Sequence, residues 1–265
     1  MIQDELLDVA APLLEGKKVE EVVVGLKYTA VFLEGGIVGL SFTLKGPFFG
    51  RERGDIYVRD AKKLAELLLS TSPIESSIGL AVVNAASQTL APQLDYSYSR
   101  LVDALRIGRG DVLMVGLMVP LAWELHEHVD RIWAVEDSFY IREGPENLEV
   151  RPWWAIDIIL RTKEISAVVI SGSAVSNKTI NRILELVQDK SRRKCEIALV
   201  GPSVPIFPDF WRKVGVDLLA AAIVKDADAV GRIVKGGGGS RELFRKGCLK
   251  KILIDLRSYS HHGTA

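Results

Sequence analysis

The chain has 265 residues, 48% of them hydrophobic, which suits one large or two modest domains with a sizeable core. Its 34 Lys and Arg balance 34 Asp and Glu, so bulk charge argues against nucleic-acid or membrane-surface binding. No apolar run reaches the length of a membrane span, so no insertion is expected. Asp4 and Glu5 stand where a secretory signal carries Lys or Arg, so a cytoplasmic protein is expected.

Apolar residues at Ile2, Leu6, Val9, Ala10, Leu13 and Leu14 have helical spacing, ended by Gly16. Val22 to Leu33 then reads as one strand, Gly35-Gly36 as a hairpin turn and Ile37 to Leu44 as a second strand. Lys45 to Asp55 reads as a mobile loop, and Asp60 to Leu69 as a helix. Ser72-Pro73-Ile74-Glu75 has the pattern of a capping box and opens a helix to about Leu90. Gly79, Ala81, Ala85, Ala86 and Ser87 leave room on that helix for another element to approach. Pro92 to Ser99 is a candidate boundary, giving domains at 1–92 and 93–265.

Beyond the boundary, strands and helices alternate. Strand-like runs are Asp111–Gly116, Arg131–Glu136, Ala167–Gly172, Glu196–Gly201, Val216–Val224 and Lys251–Leu256. This predicts an α/β fold: a small N-terminal α+β domain followed by a Rossmann-like parallel sheet with helices on both faces.

Ligands of open parallel sheets sit beyond the carboxyl ends of the strands. Those ends carry Gly116, Glu136, Ser171-Gly172-Ser173 with Asn177 and Thr179 just beyond, and Gly201-Pro202-Ser203. Together they predict a crevice lined by backbone amides and hydroxyls, although each alone reads as ordinary turn chemistry. Glu136 follows Gly116 by 20 residues, the spacing at which a dinucleotide-binding unit places its ribose acid. Gly116-Leu117-Met118-Val119-Pro120 lacks the second glycine of that motif, so Glu136 reads also as a loop cap or the partner of an Arg. Asn84 and Ser87, three apart on one helix face, either face the crevice or bond neighbouring backbone.

Other residues carry weaker signals. His126 and His128 fall in a helix expected over Leu121 to Val129 and point apart there, so they cannot share a metal. His261 and His262 lie in the tail, and Cys195 and Cys248 form no Cys-x-x-Cys pair. Gly236-Gly237-Gly238-Gly239-Ser240 reads as an anion cradle or a plain connector, and Trp153, Trp154 and Trp211 as packing residues.

Several segments carry a resemblance. They are Gly25-Leu26-Lys27-Tyr28-Thr29-Ala30-Val31, Val38-Gly39-Leu40-Ser41-Phe42-Thr43, Ile78 to Ser87 and Gly110 to Gly116. Val168 to Thr179, Gly201 to Pro208 and Gly215-Val216-Asp217 complete the set. With these segments in order, the chain resembles the family described as "Putative heavy-metal chelation". The resemblance implies an N-terminal domain like the small domain of enolases, a Rossmann-like domain, and a cleft site between them. That site would serve metal chelation or a small metallophore- or pterin-like molecule. Ser171-Gly172-Ser173-Ala174 departs from the family's Thr-Gly-Thr-type turn but keeps the hydroxyl.

The expected function is an interdomain site that binds or processes a small anionic ligand or metal complex. Asn84 and Ser87 would come from one side; Gly116, Glu136, Ser171, Gly172, Ser173, Asn177, Thr179, Gly201 and Ser203 from the other. Glu136 is the candidate oxygen ligand to a cation. The cofactor would be a metal ion or a metal-chelating small molecule. The rivals are an enzyme with an S-adenosylmethionine- or NAD-like cofactor and a non-catalytic carrier linked to metal transport. A homo-oligomer is compatible with the sequence, which does not locate its interface.

Overall fold

In the computed structural model, residues 1–46, 59–108, 110–137, 143–189 and 195–259 are described. The loop expected over Lys45 to Asp55 lies outside them from residue 47 onward, as do His261 and His262.

The chain opens with α1 (Ile2–Leu14), which buries Ile2, Gln3, Leu6, Ala10 and Leu14. An antiparallel sheet follows, in the order β1 (Val19–Val24), β2 (Tyr28–Leu33), β3 (Ile37–Phe42). The run from Val22 to Leu33 is therefore not one strand. It turns at Gly25 to Lys27, where the Gly25 N–H donates to the Tyr28 carbonyl at 3.0 Å. β-branched residues flank this turn closely on both sides, which hid it from pattern reading.

Helix α2 (Ala61–Ala65) and a 3-10 turn (Glu66–Leu69) lead to α3 (Pro73–Gln88). The expected capping box does not form. The Ser72 hydroxyl makes no cap bond. Ser70 takes its place, donating its hydroxyl to Glu75 and accepting the Ser72 N–H at 3.0 Å. Every residue of α3 from Ser76 to Ser87 is buried. The small residues permit this packing: a Cβ on Gly39 of β3 would stand 2.0 Å from the Ala81 carbonyl oxygen. Only glycine lets strand and helix come so close.

After α4 (Leu101–Ala104) come β4 (Asp111–Val115), α5 (Val119–Leu125), β5 (Ile132–Glu136) and β6 (Leu148–Pro152). Then follow α6 (Ile156–Thr162), β7 (Ile165–Ser171), α7 (Ser173–Ser176), α8 (Thr179–Val187) and β8 (Glu196–Val200). The chain continues through α9 (Pro208–Lys213), β9 (Leu218–Val224), α10 (Ala227–Lys235), α11 (Ser240–Arg245) and β10 (Leu249–Asp255). The seven strands lie in the order β10-β9-β8-β7-β4-β5-β6. All pairs are parallel except β9 with β10.

Helix α5 stops at Leu125, so His126 and His128 sit in the turn beyond it rather than in a helix reaching Val129. Strand β6 was not expected. It is a half-exposed edge carrying Glu149 and Arg151, without the apolar run that marks its neighbours. At the opposite edge, Ser97 pairs with Leu253, exchanging two backbone hydrogen bonds of 2.8 Å.

One continuous apolar cluster runs from α1 and α3 onto the face of the large sheet that carries Leu113, Val115, Val168 and Ile170. The other face, with Val112, Met114, Ala167 and Val169, packs against α4 and α5. No helix among the described residues is long and apolar enough to cross a membrane.

Candidate functional site

The strand order of the large sheet reverses at β4, which pairs with β5 on one side and β7 on the other. Helices leave the two sides of such a switch point in opposite directions, which opens a crevice beyond the carboxyl ends. Gly116 follows β4 there with φ +83, a conformation that disfavours side-chain residues. A Cβ on Gly116 would also stand 2.9 Å from the Ser171 Cβ. Ser171 ends β7, and its hydroxyl lies 3.0 Å from that of Ser173 at the start of α7. Both serines are partly exposed.

Glu136 ends β5, one residue past the Val115–Val135 pair, and so stands beside Gly116. Its carboxylate accepts the Leu117 N–H at 3.0 Å and the Asp137 N–H at 2.8 Å. The Met118 N–H is directed to the Met114 sulfur at 3.2 Å. The backbone donors just after β4 are thus turned inward, toward Glu136 and Met114. A pyrophosphate in a dinucleotide site requires such donors to point at the ligand.

One strand further on, the Gly172 N–H donates to the Val200 carbonyl and the Gly201 N–H to the Ala220 carbonyl, both at 2.9 Å. Ser203 is buried, and its hydroxyl accepts the Phe42 N–H at 2.8 Å. Asn177 accepts both the backbone N–H and the hydroxyl of Thr179, so the two turn their polar atoms on each other. Asn84 and Ser87 are buried in α3. The Asn84 amide donates to the Leu40 carbonyl at 2.6 Å, and the Ser87 hydroxyl to the Asn84 carbonyl at 2.8 Å. The structure thus gathers Gly116, Glu136, Ser171 and Ser173 at the switch point. Asn84 and Ser203 cover the open edge of β3 instead.

The glycine run from Gly236 to Gly239 packs against the β1–β2 turn, where a Cβ on Gly239 would meet the Lys27 side chain at 2.7 Å. Ser240 lies beside Tyr28, whose phenol is pushed up to about 12 by burial. This is a packed connector.

Pattern reading missed a buried polar seam. Lys178, between α7 and α8, donates its ammonium to Ser70 and Ser76, and Gln3 donates to the Val175 carbonyl. Burial holds the Lys178 amine below its ordinary value. Ser76, a hydroxyl in the first turn of a helix rich in apolar and small residues, was the available signal.

Among the described residues no three His, Cys, Asp or Glu side chains group to hold a metal ion. Cys248 is buried and Cys195 half-buried, each preceding a strand rather than facing the crevice ends. Soft heavy metals take thiolate and imidazole, whereas the crevice offers hydroxyl and carboxylate oxygen. These residues do not fit a directly bound heavy metal.

Residues 101–253 match the model of the DUF364 family and residues 7–87 that of the DUF4213 family, both described as "Putative heavy-metal chelation". The chain belongs to this family. An uncharacterized protein of Methanocaldococcus jannaschii is 24% identical over 274 residues, covering 97% of this chain and 98% of its own. A solved DUF364 structure from Pyrococcus horikoshii, of unknown function, has a TM-score of 0.80 at 21% identity. It covers 96% of this chain and 100% of its own. Another from Desulfitobacterium hafniense, also of unknown function, has a TM-score of 0.72 at 24% identity, covering 95% and 98%. The DUF364 fold is therefore that of the whole chain.

Proposed function

We propose that the switch-point crevice binds a small, oxygen-rich ligand, an anion or a metal complex in which the metal arrives already chelated. The observation that carries this reading is the convergence of Gly116, Glu136, Ser171 and Ser173 where the strand order reverses. Gly116 admits a ligand atom where a side chain would intrude. The hydroxyls of Ser171 and Ser173 donate to an anionic oxygen. The Glu136 carboxylate accepts a hydroxyl or stands opposite a cation carried by the ligand. In this reading 1–92 and 93–265 are two domains, and their junction forms one wall of the crevice.

The test is native mass spectrometry with elemental analysis on protein purified without chelators, repeated for Ser171→Ala with Ser173→Ala. A stoichiometric organic ligand or metal complex, lost from the double variant, supports the reading. A complex retained unchanged in the double variant would place it elsewhere.

Glu136 beside Gly116 favours a second reading, a nucleoside-type cofactor whose ribose hydroxyls bond the carboxylate. The inward-turned Leu117 and Met118 N–H groups favour S-adenosylmethionine over NAD, because it has no pyrophosphate to hold. Tighter binding of S-adenosylmethionine than of the proposed complex, by isothermal titration, would replace the first reading with this one. Retention without turnover would make the protein a carrier.

A further inference from the structure

Lys178 lies in the turn that joins α7 to α8, with φ +66, the one positive φ outside glycine among the described residues. Glycine adopts this conformation without the steric cost that a side chain meets. The side chain present is half-buried, and its ammonium is surrounded by oxygen. It donates to the Ser70 carbonyl at 2.8 Å, the Ser76 hydroxyl at 2.9 Å and the Ser176 carbonyl at 3.3 Å. An ammonium has three N–H bonds, and these three acceptors take them all. Ser76, buried, sends its own proton to the Ser176 carbonyl at 2.6 Å, which leaves its lone pair facing Lys178.

The acceptors come from two places. Ser70 and Ser76 belong to the α2–α3 region, and Ser176 belongs to α7. Desolvation lowers the amine's pKa. The same turn is held from α1. Gln3, fully buried, donates to the Val175 carbonyl at 2.8 Å. Asn181 donates to Gln3 at 2.8 Å and accepts the Ile2 N–H at 3.0 Å.

We propose that Lys178 is a positioning residue: a tethered cation in an oxygen cage that fixes the turn from Ser173 to Lys178 against α3. The cage of two carbonyls and one hydroxyl matches the donor set of a small monovalent cation, which the lysine supplies on a leash. Through this turn Lys178 sets where the Ser171 and Ser173 hydroxyls stand. That consequence for the ligand rests on the function proposed above; the clamp itself does not.

The test is hydrogen exchange on the full chain, read for peptides spanning residues 171–179, in the native protein and Lys178→Gly. Glycine relieves the backbone, so if the turn's conformation alone mattered its protection would hold or rise. The expected result is roughly tenfold faster exchange in the variant. Ammonium or potassium chloride should restore protection, and choline chloride at equal ionic strength should not. Unchanged exchange in the variant overturns the proposal. Faster exchange that no small cation restores also overturns it, because the side chain would then only fill space.

Should the variant fail to fold, native protein labelled with 15N-lysine decides the matter. A slowly exchanging ammonium signal that Lys178→Arg abolishes is expected, and the lack of such a signal overturns the clamp. A crevice that binds no ligand while the clamp behaves as expected would sink only the functional reading.

Discussion

The Ser203 hydroxyl accepts the backbone N–H of Phe42 at 2.8 Å, across 161 residues of chain. Phe42 ends β3, an edge strand of the small sheet, and Ser203 lies in the loop after β8 of the large one. On the neighbouring strand β7, Ser171 has the same side chain at a partly exposed position. The two serines should therefore respond in opposite ways to loss of that group.

Ser203→Ala leaves a Phe42 N–H without its acceptor, which costs about 1–3 kcal/mol when the group stays buried. Ser171→Ala removes only a long bond of 3.4 Å from the Ser173 N–H and the contact with the partly exposed Ser173, and should leave stability within about 0.5 kcal/mol. Urea denaturation of both variants checks the contrast. Ligand retention should show the reverse order, with Ser171→Ala weaker than Ser203→Ala.

Gly116→Ala should be damaging on two counts. The backbone holds φ +83, and the new Cβ would meet that of Ser171 at 2.9 Å. Strain of this kind costs about 1–3 kcal/mol. A fall in thermal midpoint with loss of the bound ligand is expected. A variant as stable as the parent would mean that the loop after β4 relaxes freely.

Glu136→Gln and Glu136→Ala should separate. The Gln variant keeps an oxygen for the Leu117 N–H, now at 3.0 Å from the carboxylate, whereas Ala keeps none. Titration calorimetry with the copurifying ligand should find affinity lowered in both, and hydrogen exchange at Leu117 raised only in Ala. Equal affinity in all three proteins would remove Glu136 from the site.

At the other end of the large sheet, Arg257 joins Asp255 and Glu196 and donates to the Ala104 carbonyl at 3.0 Å. Arg257 holds the Asp255 carboxyl below its usual value. A depressed carboxylate contributes stability above its unfolded pKa, about 3.9, and that contribution is lost as pH falls through the folded value. Arg257→Met should cost about 2 kcal/mol at neutral pH. It should also flatten the loss of stability on acidification below about pH 4. A denaturation series from pH 6 to about 3 reads both effects, and an unchanged pH slope would detach Asp255 from the network.

The parts visible in the sequence were those set by local chemistry. Val112-Leu113-Met114-Val115 and Val168-Val169-Ile170 are apolar because both faces of β4 and β7 are covered. The 20-residue step from Gly116 to Glu136 survives folding as adjacency, because one crossover separates neighbouring parallel strands. β6 was missed because an edge strand needs no apolar run, and Glu149 and Arg151 suit its exposure. Asn84 gave a correct helix face but not its destination, since the open edge of β3 is a tertiary partner. Lys178 had no local signal at all, because nothing in Asn177-Lys178-Thr179 encodes a left-handed lysine without the Ser70 and Ser76 oxygens.

The apolar cluster that joins α1 and α3 to one face of the seven-stranded sheet has a kinetic meaning. Segments that share a core cannot swing apart without exposing it to water, so large hinge opening carries the cost of unfolding. A ligand bound as proposed would meet walls already in place. Its arrival would be limited by diffusion and by shedding its hydration shell, and its departure by the bonds it makes rather than by a gate.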